Sequence, residues 1–253
     1  MIPRLYLDAP LAEGAGAALA LEQAHYLRNV LRREAGAGMR LFNARDGEFD
    51  ATLAEIGKKG ALAAIGARRR APEPEPDIAL VIAPVKRAAM EVIVQKATEL
   101  GASRFIPVLT ERTNADRLRT DRLSAIAIEA AEQCGRLSVP VVAEAAALPG
   151  ALLRWDAGRT LFYCDEAGDN PDEEWGGATG RAKPMLDVAR ARGAGPAAVL
   201  VGPEGGFSPQ ERSWLRSLPF VAPVTLGPRI LRADTAAIVS LALWQAAHGD
   251  LAR

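Results

Sequence analysis

The chain has 253 residues, of which 49% are hydrophobic and 25% charged, a balance typical of water-soluble globular proteins with one large or two modest domains. Its 31 Lys and Arg residues balance 31 Asp and Glu residues, which excludes a chain-wide attraction to nucleic acid, so any polyanion site has to be local. The two cysteines, Cys134 and Cys164, argue against a disulfide framework or a zinc cluster, and no apolar run approaches the ~20 residues of a membrane span. Since the start "MIPRLYLDAP" also lacks the apolar core of a signal peptide, we expect a cytoplasmic protein with neither a metal nor a membrane partner.

The first part of the chain predicts a small, mainly β module over residues 1 to 70. Strand-like segments ("RLYLD", "MRLFNARDGEFDATLAEIG" and "ALAAIGARR") flank a helical pattern, "LEQAHYLRNVLRREAG", which we expect to end at Gly36. The pair Asp46-Gly47 is a hairpin signal. Alternating Pro and Glu in "RRRAPEPEPD", residues 68 to 77, then predict an extended connector.

After the connector, apolar strand patterns alternate with helical ones. Strands are predicted in "IALVIAPV", "RFIPVL", "VPVVAEA", "TLFYCDE", "AAVLVG" and "FVAPVTLG", and helices over Arg87 to Leu100, Asp121 to Cys134, Pro209 to Ser217 and Ala233 to Ala247. This alternation predicts an α/β fold with a mostly parallel sheet covered on both faces. The segment "DEAGDNPDEEWGGATGRAKP", residues 165 to 184, is acidic and predicts a solvated surface loop rather than a phosphate site.

A glycine-rich turn, "VGPEGGFSPQE" at residues 201 to 211, follows one of these strands. Its glycines at 202, 205 and 206 can adopt positive φ or admit a ligand, and Pro203 stiffens the turn. A P-loop lysine is missing, and Glu204 would repel the pyrophosphate of a dinucleotide. The turn therefore suits a ligand with hydroxyl, amine or cationic groups, and a tight turn without any ligand is the open alternative.

A second turn, "LGPRILRADTAAIVSLALWQ" at residues 226 to 245, repeats this arrangement at the next strand end. Arg229 and Arg232 surround two apolar residues, and the pair Asp234-Thr235 suits the cap of the apolar helix that follows. Two such turns can enclose one pocket that holds a flat base, with the arginines facing an anionic second substrate.

Taken together, "VGPEGGFSPQE" and "LGPRILRADTAA" resemble the bacterial 16S ribosomal RNA uracil-N3 methyltransferases of the SPOUT superfamily. The resemblance extends to "IPRLYL", "HYLRNVLRREAG", "PVKRAAMEVIVQKATELGASRFIPVLTERT" and "AIEAAEQCGRLSVPVV", and so over nearly the whole chain. One departure is Asp234, because the family usually has Glu at this position.

This resemblance implies a PUA-like β-barrel RNA-binding module over residues 1–72 and a SPOUT methyltransferase domain over residues 73–253 with a deep trefoil knot. It implies S-adenosylmethionine as the cofactor, a homodimer, and 16S rRNA in the 30S subunit as the substrate. The cofactor positions that carry over are Val201, Gly202, Pro203, Glu204, Gly205, Leu226, Gly227, Ile230 and Leu231.

The chemistry that the resemblance implies also gives roles to basic residues. Loss of the N3 proton of uracil spreads negative charge over O2 and O4, so a guanidinium aimed at those oxygens favours methylation. Arg232 is the first candidate and Arg229 the second, and a salt bridge to Glu204 or Asp234 is the alternative for both. RNA binding is expected at six basic residues, for which a solvated helix face is the alternative: Arg4, His25, Arg28, Arg32, Lys86 and Arg87.

Two other functions compete with methyl transfer. One is a non-catalytic ribosome-assembly factor that binds RNA with the same fold. The other is an α/β enzyme that uses a dinucleotide, which the missing phosphate motifs disfavour.

Overall fold

The computed structural model describes residues 2–58, 60–114, 118–170, 172–173 and 176–252. Contacts within the chain divide it into two compact units: Met1–Pro74 with Ile128–Val139, and Glu75–Ala127 with Pro140–Arg253. The sequence did not predict that residues 128–139 would group with the first unit. A regular helical pattern does not show that the two halves of one helix belong to different units.

The first unit is built on a five-stranded sheet. Its elements are β1 (Arg4–Tyr6), β2 (Gly16–Leu19), α1 (Leu21–His25), β3 (Gly38–Asn43), β4 (Gly47–Gly57) and β5 (Gly60–Arg70). The strand order is β1-β3-β4-β5-β2, with β1 and β3 parallel and the other pairs antiparallel. The predicted hairpin at Asp46-Gly47 is confirmed: it joins β3 to β4, and Gly47 has a φ of 97°, a backbone conformation that favours glycine.

The helix of this unit is shorter than predicted, and its expected end at Gly36 is wrong. α1 continues as one π-helical turn over Tyr26–Val30, and the chain then leaves the helix where Arg32 has a φ of 52°. A left-handed backbone costs a non-glycine residue about 1–2 kcal/mol, and it cannot continue a right-handed helix. Arg28 therefore lies in the π-helical turn and Arg32 beyond it. The two do not share a helix face, although their spacing of four residues would place them on one face of a continuous α-helix.

The second unit is an α/β layer structure in which every strand pair is parallel. Its strands are β6 (Ile78–Ile82), β7 (Arg104–Leu109), β8 (Val141–Val142), β9 (Ala146–Ala147), β10 (Thr160–Cys164), β11 (Lys183–Pro184), β12 (Ala197–Val201) and β13 (Val221–Thr225). Its helices are α2 (Arg87–Glu99), α4 (Leu148–Leu153), α5 (Met185–Arg192), α6 (Pro209–Ser217) and α7 (Ala233–His248), and a 3-10 turn covers Asp250–Ala252. It also contains the first part of α3 (Thr120–Cys134), whose residues from 128 onward belong to the first unit. The predicted parallel sheet and the four predicted helices are confirmed, but "VPVVAEA" forms two strands of two residues rather than one.

The strand order of this sheet decides which loops meet. It runs β11-β13-β10-β12-β6-β7-β8, with β9 also paired to β7. Because β10 lies between β12 and β13, the loops that follow these three parallel strands leave the same edge side by side. The deep trefoil knot stays a prediction. Within the described ranges, no helix combines the length and apolar character that crossing a bilayer requires.

Candidate active site

A cavity of about 600 Å³ opens at the carboxyl edge of β10, β12 and β13, within the usual range for small-molecule sites. Both turns singled out in the sequence line it, and so do all nine predicted cofactor positions together with Arg229 and Arg232. The loop after β10 forms a third wall with Asp165, Glu166 and Ala167. The structure thus brings the two turns together in one pocket, as expected, and adds a third segment.

Gly202 in the first turn is required by packing rather than by φ. A Cβ added there would lie 2.6 Å from Cε2 of the Phe207 ring. That ring is buried edge-on against Tyr163, with the ring centroids 5.0 Å apart. Of the three glycines in this turn, only Gly206 has a positive φ, 65°, so positive φ does not account for glycine at 202 and 205.

A capping box fixes the end of the same turn. The Ser208 hydroxyl accepts a hydrogen bond from the backbone N–H of Glu211 at 3.1 Å, and the Glu211 carboxylate accepts one from the backbone N–H of Ser208 at 2.9 Å. The second carboxylate oxygen of Glu211 accepts from the backbone N–H of Glu111 at 2.9 Å, in the segment after β7. This buried carboxylate therefore holds the start of α6 and ties two loops of the cavity edge together.

The third wall is held by a buried ion cluster, so the expectation of a solvated loop is wrong for its first residues. Asp165 is 1% exposed and lies 2.9 Å from Arg212 and 2.7 Å from Arg216, both on α6. The two guanidiniums also donate to backbone carbonyls of the loop, among them those of Gly168 and Gly180. Residues 171, 174 and 175 of the predicted loop lie outside the described residues.

The second turn leads directly into α7. Arg232 is the N-cap residue, and its side chain makes no capping hydrogen bond. The predicted cap at Asp234-Thr235 is wrong, because both residues lie inside the helix. The Asp234 carboxylate still accepts a hydrogen bond from the backbone N–H of Thr235 at 2.7 Å in the first helical turn. Gly227 has a φ of 117°, and a Cβ added to it would meet nothing within 4 Å, so this glycine bends the backbone without filling the cavity.

The arginines of the second turn lie at the cavity rim. The side chain of Arg232 is 80% exposed, and its nearest carboxylate oxygen, on Glu204, is 3.9 Å away, longer than a hydrogen bond. Such an exposed contact contributes little stability, so it does not account for the arginine as a structural brace. Lys86 and Arg112 extend the basic rim, and Arg112 donates to the carbonyl of Gly205 at 3.1 Å.

Cys164 at the end of β10 and Glu166 on the third wall have shifted pKa values. Burial raises the pKa of the Cys164 thiol to about 12, so the thiol stays protonated and is a poor nucleophile. The pKa of Glu166 is also raised, first because burial disfavours its charged form and then because the Asp165 carboxylate is close. Within the described ranges, no group of three His, Cys, Asp or Glu side chains is placed to hold a metal ion.

Arg4, predicted to bind RNA, is turned into the first unit. Its guanidinium lies 2.8 Å from the Glu48 carboxylate, stacks 4.1 Å from the centroid of Phe42, and donates to three carbonyls at the end of α3 and just beyond it. Because these contacts engage its donors, Arg4 stabilises the first unit instead of presenting a free guanidinium to RNA.

The other predicted RNA-binding residues are exposed but do not form one group. His25 and Arg28 line a surface groove of the first unit together with Asn29 and Lys58. Arg32 is also exposed, and its backbone is left-handed with a φ of 52°. In the second unit Lys86 lines the cavity, whereas Arg87 forms an ion pair with Glu91 at 2.9 Å and lines a separate groove.

Sequence reasoning missed the residues that build the third wall and part of the rim: Arg112, Asp165, Glu166, Glu211, Arg212 and Arg216. One signal was available, because "TLFYCDE" was already predicted as a parallel strand. The rule that ligands bind at the carboxyl ends of such strands applies to its Asp165 and Glu166 as well.

Comparison with known proteins gives the family. A model described as an RNA methyltransferase domain matches residues 72–245, and one described as an RNA methyltransferase PUA domain matches residues 20–66. The chain is 31% identical over 240 residues to the ribosomal RNA small subunit methyltransferase E of Rickettsia conorii, covering 94% of this chain and 93% of that protein.

Solved structures agree with this result. The ribosomal RNA small subunit methyltransferase E of Neisseria gonorrhoeae, bound to S-adenosyl methionine, superposes with a TM-score of 0.85 at 29% identity over 99% of both chains. A putative methyltransferase from Legionella pneumophila, in complex with the same cofactor, superposes with a TM-score of 0.82 at 28% identity, again over 99% of both chains. The resemblance read from the sequence motifs is confirmed, and the chain belongs to the RNA methyltransferase family that includes ribosomal RNA small subunit methyltransferase E.

Proposed function

We propose that this protein transfers the methyl group of S-adenosylmethionine to N3 of a uridine in 16S rRNA. One observation carries the proposal: in a chain of this family, the three loops after β10, β12 and β13 enclose a single cavity with a basic rim. The protein acts in the cytoplasm, as a homodimer, on rRNA within the 30S subunit. The resemblance of the sequence and the names of the relatives support these assignments.

The cavity fits the proposed cofactor in shape and in chemistry. Apolar side chains (Val201, Val224, Leu226, Ala233 and Ala236) line part of it and suit an adenine ring. The glycine turn lines the cavity, and in the second turn a Cβ on Gly227 would meet nothing within 4 Å, which leaves space for a ligand. The Glu166 and Glu204 carboxylates suit a ligand that carries cationic and hydroxyl groups but no phosphate.

When bound, the cofactor supplies an electrophilic methyl group on a sulfonium. The residues that hold it are those of the two turns, with Val201, Gly202, Pro203, Glu204 and Gly205 on one side and Leu226, Gly227, Ile230 and Leu231 on the other. Alignment of the methyl group with the acceptor nitrogen is the main contribution of this chain, because a fixed approach removes much of the entropic barrier.

Activation of uracil N3 falls to the arginines of the second turn. When N3 loses its proton to water, the negative charge spreads over O2 and O4. The exposed guanidinium of Arg232, with Arg229 three residues before it, stabilises that charge by donating hydrogen bonds to these oxygens. Lys86 and Arg112 on the same rim neutralise neighbouring phosphates of the RNA.

The exposed groove of the first unit supplies a second contact with RNA. His25, Arg28 and Lys58 are solvent-accessible there, and Arg32 is exposed nearby in the sequence with a strained backbone. Basic and aromatic side chains of this kind bind phosphates and stack on unpaired bases.

Nucleoside mass spectrometry of 16S rRNA tests the proposal. Cells that lack this gene are expected to lose N3-methyluridine, and the wild-type gene is expected to restore it. Arg232→Ala should lower the single-turnover rate on 30S subunits by about 100-fold, the usual effect of removing one donor to a developing oxyanion. Arg190→Ala is the matched control, because Arg190 is exposed on α5 and does not line the cavity.

The outcomes separate the alternatives. Persistence of N3-methyluridine in cells that lack the gene contradicts the assigned nucleotide. Binding of RNA by a purified protein that has no affinity for the cofactor favours a non-catalytic assembly factor. Light scattering of the purified protein tests the homodimer, and a monomeric mass contradicts it.

A further inference from the structure

Glu166 is the carboxylate of the third wall that forms no salt bridge among the described residues. Its neighbour Asp165 is occupied by Arg212 and Arg216 at 2.9 and 2.7 Å. By contrast, among the described residues, no side chain and no backbone N–H of another residue donates a hydrogen bond to the Glu166 carboxylate. The backbone N–H of Glu166 itself is its hydrogen-bond donor, and the charge of Arg212 acts on it without a salt bridge among the described residues. A half-buried carboxylate with so few donors is costly, so this position is a candidate for binding a ligand.

The position of Glu166 points it at the glycine turn. Its Oε1 lies 3.3 Å from where a Cβ on Gly206 would be, and both residues line the cavity. Because Gly206 has a φ of 65° and no side chain, the space beside the carboxylate stays open on that side. A ligand group packed against the turn therefore comes within reach of Glu166.

The chemistry of a carboxylate limits what it can bind. It accepts hydrogen bonds, and its two oxygens match the two hydroxyls of a vicinal diol, which is how acidic residues hold the ribose of other adenosine cofactors. The basic residues of the cavity (Lys86, Arg112, Arg212, Arg229 and Arg232) have only donors. Glu204 is 51% exposed beside Arg232 at the rim. Glu166 is thus the acceptor best placed for hydroxyl groups inside the cavity.

We propose that Glu166 is a cofactor-binding residue that accepts hydrogen bonds from the two ribose hydroxyls of the cofactor. This inference rests on the proposed function, since it takes the cofactor to carry an adenosine. It assigns to the third wall a specificity for ribose over deoxyribose, while the two turns bind the base.

Calorimetric titration with 5′-methylthioadenosine tests the inference, because this compound keeps the adenine and the ribose but lacks the amino acid. Its 2′,3′-dideoxy analogue is the second ligand. Glu166→Ala is expected to weaken methylthioadenosine about 10- to 100-fold, the usual range for hydrogen bonds to a charged group, and to weaken the dideoxy analogue less than about threefold. Glu204→Ala is the matched control, since it removes a carboxylate from the same cavity and should affect the two ligands equally.

Equal losses for the two ligands in Glu166→Ala, or no loss for either, overturn the inference. A loss with S-adenosylhomocysteine but not with methylthioadenosine also overturns it, because the ammonium of the amino acid is then the partner. The proposed function fails in a different measurement: wild-type protein that binds neither S-adenosylhomocysteine nor methylthioadenosine has no cofactor site. Thermal unfolding of each variant checks that the fold is retained. Glu166→Gln repeats the test with an isosteric side chain.

Discussion

Replacement of Gly202 by alanine tests whether the first turn needs glycine for packing or for its ligand. The added Cβ would meet three atoms of the Phe207 ring at 2.6, 3.0 and 3.2 Å. The first distance is shorter than real Cβ contacts, and the other two are tighter than most of them. Phe207 cannot turn away freely, because it is 5% exposed and packs edge-on against Tyr163, which is 1% exposed. The clash has to move either the ring or the backbone of the turn.

The expected cost follows from this geometry. Overpacking of a buried site costs about 1–3 kcal/mol, and the reduced freedom of the unfolded chain returns about 0.4–1 kcal/mol for a Gly→Ala change. We therefore expect Gly202→Ala to lower the free energy of unfolding by about 1–2 kcal/mol in urea titration. Binding of S-adenosylhomocysteine should weaken too, because the displaced turn lines the cavity.

Two further variants separate packing from other causes. Gly205→Ala is the control: it lies in the same turn without a positive φ, and its added Cβ would lie 3.4 Å from Cβ of Arg112, an ordinary contact. We expect it to stay within about 0.5 kcal/mol of wild type. Phe207→Leu removes the clashing ring atoms, so the double variant with Gly202→Ala should lose less stability than the sum of the single changes. Equal stability of Gly202→Ala and Gly205→Ala, or strict additivity in the double variant, refutes the packing argument.

Two more predictions concern buried carboxylates. Asp165→Asn should lower the free energy of unfolding by about 2–3 kcal/mol in urea titration, because Arg212 and Arg216 lose their buried anionic partner. The loss is limited because both guanidiniums keep part of their contact with solvent. A stability within the error of wild type would contradict this expectation. Burial is the main cause that raises the pKa of Glu132 from 4.5 to about 7 in the folded protein. The folded state therefore binds this proton more tightly than the unfolded chain does. The resulting stability is present at low pH and is lost as the pH rises from about 4.5 through 7. Glu132→Gln keeps an acceptor for the backbone N–H of Tyr6. After a discount for solvent screening, urea titrations at several pH values should show the free energy of unfolding of the variant rising by about 2 kcal/mol relative to wild type across that window. A difference that stays constant with pH would argue against the pKa shift.

Local signals were sufficient for the strands and helices that form the cavity. The helix at Pro209–Ser217 begins where the Ser208 and Glu211 capping box places it, and the continuous apolar runs became parallel strands. The meeting of the two turns in one cavity could also be predicted, because the carboxyl ends of parallel strands share an edge. The strand order could not, since apolar runs of similar composition do not state which neighbour each one pairs with.

Charged residues were predicted less well, for a single physical reason. Asp165 lies in an acidic stretch that looks solvated, yet the arginines that neutralise it are 47 and 51 residues further along the chain. Arg4 looks like an RNA contact, yet its carbonyl acceptors are 127 to 132 residues away. The partner that decides whether a charge is structural or functional is set by the tertiary fold, so neighbouring residues in the sequence do not reveal it.

The charges of the cavity fall into two sets. Those that hold its walls are paired and mostly buried: Asp165 with the arginines of α6, and Glu211 with the backbone N–H groups of two loops. Those at the rim are exposed, as in the 3.9 Å contact of Arg232 with Glu204. A wall fixed by buried pairs is screened little by salt, while rim cations that bind phosphates release counterions and respond strongly to it. Cofactor binding and RNA binding at this one edge of the sheet therefore rest on different electrostatics, although the loops that carry them are the same.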